Sequence, residues 1–587
     1  MKPIRVISML LAAVLLFSLC CAGCAKAPAA ATAAQTEPTL TEAPTAAPTE
    51  PAPETTEPAD PEGDALIRWQ NGGKARYLPR EPLTVPKLSE MEYARPDVET
   101  LIEKLEALTE KAAQCEDAEA LLADYYDVVP YIRDYVTMYD LAFVRYCADT
   151  ADDYYAEEYA WCDEQSALSG EKEDALYAAF AASPCRDALE RAYFGEGFFR
   201  DYDGFNTADE SYFDLKQRES DLLFQYYELA GAANLSSARE IERNHDASGT
   251  ILIELIKVRQ QIAAAKGYEN YMDYSYARDY HRDYTTAQAR AYLDQVKARL
   301  APLTGSDRFI LGDYSDWRDS KAMEMLSAAA EQMGGPVRDS FRFLSDRELY
   351  DVSYGRNKMS IGFTTYLDNY EAPCIFIDPD SKDLLTALFH EFGHFTDWYC
   401  NYGVAGDYET GETYSQAMPY LAFTCADSFT DSARTRNLRA VLADLLVYSI
   451  LQTGAYADFE LQAYALTPEE LTLDRLDGIF DQCMADYGLA GLNDVHFMSG
   501  YWSVYQHFFA YPGYVISYSD SALASLQICR LEAEEPGAGV EAFCRLLDRA
   551  HGKKFAAVLA EAGLDSPFEA ATLEKTAEFL KEAFGMD

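Results

Sequence analysis

The residues with the clearest chemical potential are HEFGH at 390–394, inside the stretch SKDLLTALFHEFGHFTDWYCNY at 381–402. Apolar residues recur through this stretch at a spacing of three and four, which predicts a buried helix. On a helix, His390 and His394 project from one face and can share a zinc ion. Glu391 lies on the flank of that face. It is suited to take a proton from a metal-activated water and pass it to a leaving amine.

A zinc site of this type needs a third protein ligand from a neighbouring element, with one ion per chain. The predicted helix is followed by a loop at 403–411 and by a second predicted helix at 412–429. Glu412 falls within that second helix and Glu409 within the loop. We favour Glu412 as the third ligand, and Glu409 is the alternative.

Two short apolar runs, 363–367 and 374–377, come directly before the HEFGH helix and are bracketed by Gly, Asn and Pro. This pattern predicts a small β-hairpin or sheet beside the site. Such a strand could hold an extended peptide through its main chain, or it could be purely structural. The sequence leaves both interpretations open.

The segment YWSVYQHFFAYPGYVISYSDSALA at 501–524 concentrates His507, Tyr511, Tyr514 and Tyr518 within a dozen residues. Aromatic residues at such spacing most often pack in a core. Imidazole and phenol groups are also the donors that stabilise the oxyanion formed when a peptide bond is attacked. Spacing alone does not separate the two roles.

The composition excludes several classes of partner. The chain carries 98 acidic and 49 basic residues among 587, for a formal net charge of −49. Such a charge argues against nucleic-acid binding and against docking on anionic lipid through a basic surface. An apolar content of 49% supports a large packed core.

The N-terminus has the pattern of an export signal. A positive start and an apolar run end in small residues before Cys24, so residues 1–24 resemble a signal peptide with a bacterial lipobox. This predicts an exported lipoprotein that touches the membrane only through a lipid on Cys24, or on Cys20 as the alternative, and whose folded domain faces outside the cytoplasm. The other interpretation of the segment is an uncleaved membrane anchor. Residues 25–63 are rich in Pro, Thr, Ala and Glu and predict a disordered tether.

The remainder of the chain is helical by pattern, with an N-terminal lobe over 64–235 and a catalytic region over 236–587. Ten cysteines are scattered from Cys115 to Cys544 without close pairs, which is typical of buried thiols in a large apolar chain.

Residues 254–285, 361–416 and 501–520 together resemble the thimet-oligopeptidase-like M3 family of zinc peptidases, in particular its oligoendopeptidase F branch. The carrying segments are GYENYMDYSYARDYHRDYT, YLDNYEAPCIFIDPDSKDLLTALFHEFGH, ETYSQAM and HFFAYPGYVISYS. The resemblance implies a mostly α, two-lobed fold with a deep central channel and a small β-sheet next to the HExxH helix.

The resemblance also implies a function: zinc-dependent endopeptidase action on short peptides. It assigns His390, His394 and Glu412 as metal ligands and Glu391 as the base. It further assigns His507, Tyr514 and Tyr518 to substrate binding and transition-state stabilisation. The alternatives are a surface lipoprotein that captures peptides without cutting them, and a metallo-exopeptidase.

Overall fold

The computed structural model describes residues 85–586 except 195–197, 203–209, 232–237, 312–320, 360, 380–383, 405, 427–428, 493 and 550–552. The predicted signal peptide and tether lie outside the described residues. Cys24 and Cys20 therefore remain predictions as sites of lipid attachment.

The described part of the chain is mostly helical, as predicted. Its first helices are α1 Val98–Ala112, α2 Ala118–Ala148, α3 Asp153–Ala182, α4 Arg186–Leu189, α5 Glu210–Gly231, α6 Ala238–Ala265, α7 Tyr271–Tyr274, α8 Thr286–Arg299, α9 Ala322–Met333 and α10 Gly335–Asp346. The helices after the sheet are α11 Leu384–Cys400, α12 Tyr408–Cys425, α13 Asp431–Asp444, α14 Thr453–Ala463, α15 Leu473–Asp486, α16 Gln506–Ala510, α17 Ile516–Glu534, α18 Ala538–Leu547, α19 Phe555–Ala562 and α20 Ala570–Phe584.

The predicted hairpin is present and forms most of a three-stranded sheet. Its strands are β1 Tyr350–Asp351, β2 Gly362–Leu367 and β3 Ala372–Ile377, in the order β1-β3-β2. β2 pairs antiparallel with β3, with Thr364 opposite Ile375, and β1 pairs parallel with β3. β2 and β3 both pack against α11, so the sheet lies next to the HEFGH helix.

Two hydrophobic cores organise the helices. The smaller core contains α1, the first half of α2, the end of α3 and aromatic residues up to Phe199. The larger core takes in the second half of α2 and most of the later elements. Tyr226 on α5 belongs to the larger core, although its segment was assigned to the N-terminal lobe by pattern. The deep central channel stays a prediction.

The centre of the larger core is a stack of three helices, in which α12 contacts both α11 and α17. Gly393 allows the close approach of α11 to α12. A Cβ at this position would lie 2.5 Å from the carbonyl oxygen of Tyr414 and 2.6 Å from the Cα of Ser415. The glycine inside HEFGH therefore sets how near the two helices come.

The sequence-based boundary of α12 was wrong. This helix begins at Tyr408 rather than at Glu412, because the Asp407 side chain accepts a hydrogen bond from the backbone N–H of Thr410 and caps the helix. Glu409 consequently lies in the first helical turn and not in a loop. Pro419 is inside the helix.

Among the described residues, one helical stretch, Asp431–Ala463, is long and apolar enough to cross a membrane. In its most apolar window, 89% of the residues are buried within the protein, which is typical of a core helix. The ten described cysteines are free thiols, and eight of them are buried, as predicted.

Candidate metal centre and active site

α11 and α12 bring His390, His394 and Glu412 together. The histidines are one helical turn apart on α11, and Glu412 approaches them from α12. Nε2 of His390 lies 3.9 Å and Nε2 of His394 lies 3.7 Å from Oε2 of Glu412, and the three ligand atoms lie within 4.8 Å of one another. Ligands about 2 Å from one tetrahedral zinc are roughly 3.3 Å apart, so this set is slightly wider than a closed site.

The two histidines have the properties of metal ligands. The buried Nε2 atom of His394 has no hydrogen-bond partner, which is costly for a polar atom unless a cation binds it. Burial lowers the pKa of His394 to about 4, and burial together with the nearby His394 lowers the pKa of His390 well below its usual range. Both rings are therefore neutral at neutral pH, which is the form that coordinates zinc.

Glu412 supplies the negative charge of the group. Its Oε2 accepts a hydrogen bond from the Ser415 hydroxyl at 3.1 Å, and its Oε1 accepts one from the Tyr514 hydroxyl at 3.2 Å. Burial raises the pKa of Glu412 to about 7, although these two hydrogen bonds oppose the shift. A divalent cation would provide the opposite charge that a buried carboxylate needs, so this donor set fits zinc.

Glu409, the alternative ligand, is engaged elsewhere. Its Oε1 accepts hydrogen bonds from Arg282 at 2.7 Å, Tyr284 at 3.0 Å and Ser517 at 2.9 Å. The ion pair with Arg282 is completely buried. The geometry therefore favours Glu412 as the third ligand.

Glu391 is held by the sheet. The hydroxyl of Thr364 on β2 lies 2.8 Å from Oε2 of Glu391 and 2.9 Å from its backbone carbonyl oxygen. Burial, and more weakly the charge of Glu412, raise the pKa of Glu391 to about 8, while the contact with Thr364 opposes this. A buried carboxylate with a raised pKa is suited to accept and return a proton near neutral pH.

His507, Tyr514 and Tyr518 lie together near the metal group. Tyr514 contacts Glu412, as described above, and the ring centroid of His507 is 5.7 Å from Tyr514 and 5.9 Å from Tyr518. His507 is fully buried, neither of its ring nitrogens has a hydrogen-bond partner, and burial lowers its pKa to about 3. The imidazole is therefore neutral and able to donate one hydrogen bond. Burial keeps the pKa of Tyr514 well above its usual value, so this phenol also remains a donor.

The tyrosines belong to a larger tyrosine cluster, whose members are Tyr280, Tyr408, Tyr511, Tyr514 and Tyr518. The sequence analysis did not name Tyr280 or Tyr408 as site residues, although both lie in stretches that carry the family resemblance. Their rings are 5.9 Å and 5.1 Å from that of Tyr514.

Thr364 and Arg282 were also missed. The only signal in the sequence for either is its position in the segments that carry the family resemblance. Thr364 lies in a predicted strand, and Arg282 lies in DYHRDYT.

The comparisons with known proteins agree with this architecture. Residues 88–204 match the model of the peptidase M3 N-terminal domain. The fold is similar to that of a Pz peptidase A solved with an inhibitor, at a TM-score of 0.71 and 20% identity over 85% of this chain and 99% of that chain. It is similar to a Bacillus anthracis protein assigned as an oligoendopeptidase F, at a TM-score of 0.69 and 21% identity over 85% and 98% of the two chains. Residues 88–204 are thus similar to an M3 peptidase N-terminal domain, and the chain shares its fold with these solved peptidases.

A third structure, the oligoendopeptidase F of Enterococcus faecium, is related more distantly, at a TM-score of 0.53 and 15% identity over 83% of this chain and 97% of that one. No curated protein is significantly similar in sequence to this chain. The resemblance to M3 oligoendopeptidases and the mostly α fold with its small sheet are thereby confirmed, and the proteins that this chain resembles are peptidases.

Proposed function

We propose that this oligoendopeptidase F-like chain is a zinc-dependent endopeptidase that hydrolyses short oligopeptides at the cell surface. One observation carries the proposal: two buried histidines and a buried glutamate converge within 4.8 Å, and Glu412 is near enough to Glu391 for its charge to add to burial in raising the pKa of that carboxylate. In this proposal His390, His394 and Glu412 hold the ion. Zinc bound there supplies Lewis-acid chemistry, polarising a carbonyl and making a water molecule more acidic near neutral pH.

Glu391 acts as the general base and then as the general acid. Its carboxylate takes a proton from the attacking water and returns it to the nitrogen of the departing amine. Thr364 restricts the carboxylate to one orientation, which reduces the entropy lost when the reacting groups align.

Tyr518 and His507 supply hydrogen bonds to the oxygen of the attacked carbonyl as negative charge develops on it, and Tyr514 joins them once its hydroxyl turns from Glu412 to that oxygen. Removing one such donor commonly costs about 100- to 1,000-fold in rate. The buried position of these groups strengthens the effect, because a charge in a dry site is screened little by solvent.

The burial of the centre supports short and unfolded substrates. His390 is 8% exposed and Glu391 is 3% exposed, so a folded protein surface could not reach them. Endopeptidase action is supported by the similarity to oligoendopeptidases F, and location at the cell surface by the pattern of residues 1–24.

The test is a mass-spectrometric digest of mixed oligopeptides by the zinc-loaded domain from about residue 62 onward, compared with its Glu391→Gln variant. The variant keeps the shape of the side chain but cannot serve as a base. The matched control is Glu541→Gln, the same change at a side chain that is 74% exposed on α18. We expect internal cuts from the wild type and from the control, and none from Glu391→Gln.

The other outcomes point to the rival functions. Removal of single terminal residues would indicate an exopeptidase. Tight peptide binding by wild type and variant without cleavage would indicate a capture protein. Equal cleavage by wild type and Glu391→Gln would overturn the role of Glu391.

A further inference from the structure

The segment 506–518, which carries His507, Tyr514 and Tyr518, contains irregular backbone in the protein interior. Buried backbone carbonyl groups need hydrogen-bond partners there. Two buried arginines from distant parts of the sequence provide them. Arg259 on α6 binds the carbonyl oxygens of Phe508 and Phe509, and Arg282 binds those of Gly513 and Tyr514.

Arg282 uses all three nitrogens of its guanidinium group. Nε donates to Glu409 at 2.7 Å, one terminal nitrogen donates to the carbonyl oxygen of Gly513 at 2.8 Å, and the other donates to the hydroxyl of Ser517 at 2.7 Å. The side chains of Arg282 and Glu409 are 0% and 1% exposed. One planar group thus joins α12 to the turn between α16 and α17.

Glu409 completes the connection. The hydroxyl of Ser517 donates to the same carboxylate oxygen that Arg282 binds, at 2.9 Å. Glu409 precedes Glu412 by one turn of α12, and Arg282 contacts Tyr514 itself as well as Gly513 and Ser517 on either side of it. The hydroxyl of Tyr514 reaches Glu412 at 3.2 Å. The ion pair of Arg282 and Glu409 therefore holds both partners of the contact in place, Tyr514 on the turn and Glu412 on α12.

We propose that Arg282 and Glu409 are positioning residues, which hold the turn 513–517 against α12 and thereby place the Tyr514 hydroxyl beside the metal ligand Glu412. The inference rests on the proposed function for its catalytic consequence. Lysine cannot replace Arg282, because its single ammonium group lacks the planar fork that serves partners on two elements at once.

The other end of the segment is held separately. Arg259 pairs with Glu219 at 2.7 Å and with the Tyr464 hydroxyl at 3.1 Å, apart from the Arg282 contacts. Loss of Arg282 should therefore release the turn 513–517 and leave the backbone around His507 in place.

A double-mutant cycle tests the proposal through kcat and KM. We expect Tyr514→Phe to lower kcat by about 100-fold, as for the loss of one oxyanion donor, and Arg282→Lys to lower kcat by about 10- to 100-fold with a smaller effect on KM. If Arg282 acts through Tyr514, the double variant should be no worse than Tyr514→Phe within about twofold. Multiplication of the two effects would overturn the proposal.

The control is Arg549→Lys. Arg549 forms a comparably buried ion pair with Asp397, at 3.0 Å, on the helix that carries the histidines. It has no contact with the turn 513–517 among the described contacts of these residues. Its effect on kcat should multiply with that of Tyr514→Phe. A cycle as non-additive as that of Arg282 would show only general loosening of the core and would overturn the specific role.

Backbone amide hydrogen exchange gives a readout that does not depend on activity. Arg282→Lys should speed exchange at 513–518 while α11 stays protected, and Arg549→Lys should leave 513–518 unchanged. Unchanged exchange at 513–518 in Arg282→Lys would overturn the proposal even if the enzyme is active. If the wild type cuts no peptide, the proposed function fails, and the exchange result alone decides whether Arg282 holds the turn.

Discussion

Replacing Gly393 by alanine should separate α11 from α12. The new Cβ would lie 2.5 Å and 2.6 Å from backbone atoms of Tyr414 and Ser415, and these atoms cannot rotate away as a side chain could. Because non-bonded carbon atoms rest at about 3.5 Å, α12 must retreat by about 1 Å.

Two opposing terms decide the effect on stability. Overpacking of this kind costs about 1–3 kcal/mol, whereas alanine is favoured over glycine in a helix by about 1 kcal/mol. We expect a net loss of about 0–2 kcal/mol in the free energy of unfolding. Glu412 moves with α12, away from His390 and His394. Mutations that disturb the groups orienting a metal's ligands typically lower metal affinity by about 10- to 100-fold, and we expect a loss of zinc affinity of that size.

Denaturant unfolding and zinc competition with a chelator measure the two effects. Gly411→Ala is the matched control, since it makes the same change on α12, next to Glu412, where a Cβ would meet nothing within 4 Å. This control should be stabilised by about 0.5–1 kcal/mol and bind zinc normally. If Gly393→Ala behaved like Gly411→Ala in both assays, the reasoning that Gly393 sets the distance between the helices would be refuted.

Three further predictions follow from the same structure. Removing zinc with a chelator should lower the thermal midpoint, because an ion present at 100 times its dissociation constant stabilises the fold by about 2.7 kcal/mol, and adding zinc back should restore it. Thr364→Val should lower kcat by about tenfold without changing zinc affinity, because it removes one hydrogen bond to the candidate base. Thr365→Val loses a hydrogen bond to a different buried carboxylate and should leave kcat unchanged. Equal losses of kcat in the two variants would argue against the role of Thr364. Burial raises the pKa of Glu219, but the charges of Lys216 and Arg259 outweigh this effect and lower the pKa to about 2. The ionised form therefore stabilises the fold fully above the unfolded pKa of about 4.3, and this stabilisation is lost as the pH falls toward 2. The difference in unfolding free energy between the wild type and Glu219→Gln should therefore shrink over that range, and a constant difference would contradict the ion pairing.

Much of the local structure could be predicted from the sequence. The spacing of apolar residues predicted the HEFGH helix, and alternating runs bracketed by Gly, Asn and Pro predicted β2 and β3. These predictions succeeded because helices and hairpins are periodic over short distances in the chain. The start of α12 was predicted four residues late, because the capping role of Asp407 was not recognised.

The same periodicity determined one part of the candidate site. Two histidines four residues apart on a helix must share a face, and Glu391 must lie beside them, whatever the rest of the chain does. The sequence by itself therefore determined that these three side chains lie together, and the family resemblance named the residues that we propose to accompany them.

Only the tertiary structure decided between Glu412 and Glu409. Both lie on one helix, three residues apart, and their roles differ because of what each meets across the interface between helices. Glu412 lies near the histidines, on a helix that Gly393 allows to pack closely, and Glu409 pairs with Arg282, more than a hundred residues earlier in the chain. Contacts between elements depend on how the helices pack and not on spacing within any one of them. This is why the anchoring of Glu391 by Thr364 and of the tyrosine turn by Arg282 could be found only in the folded chain.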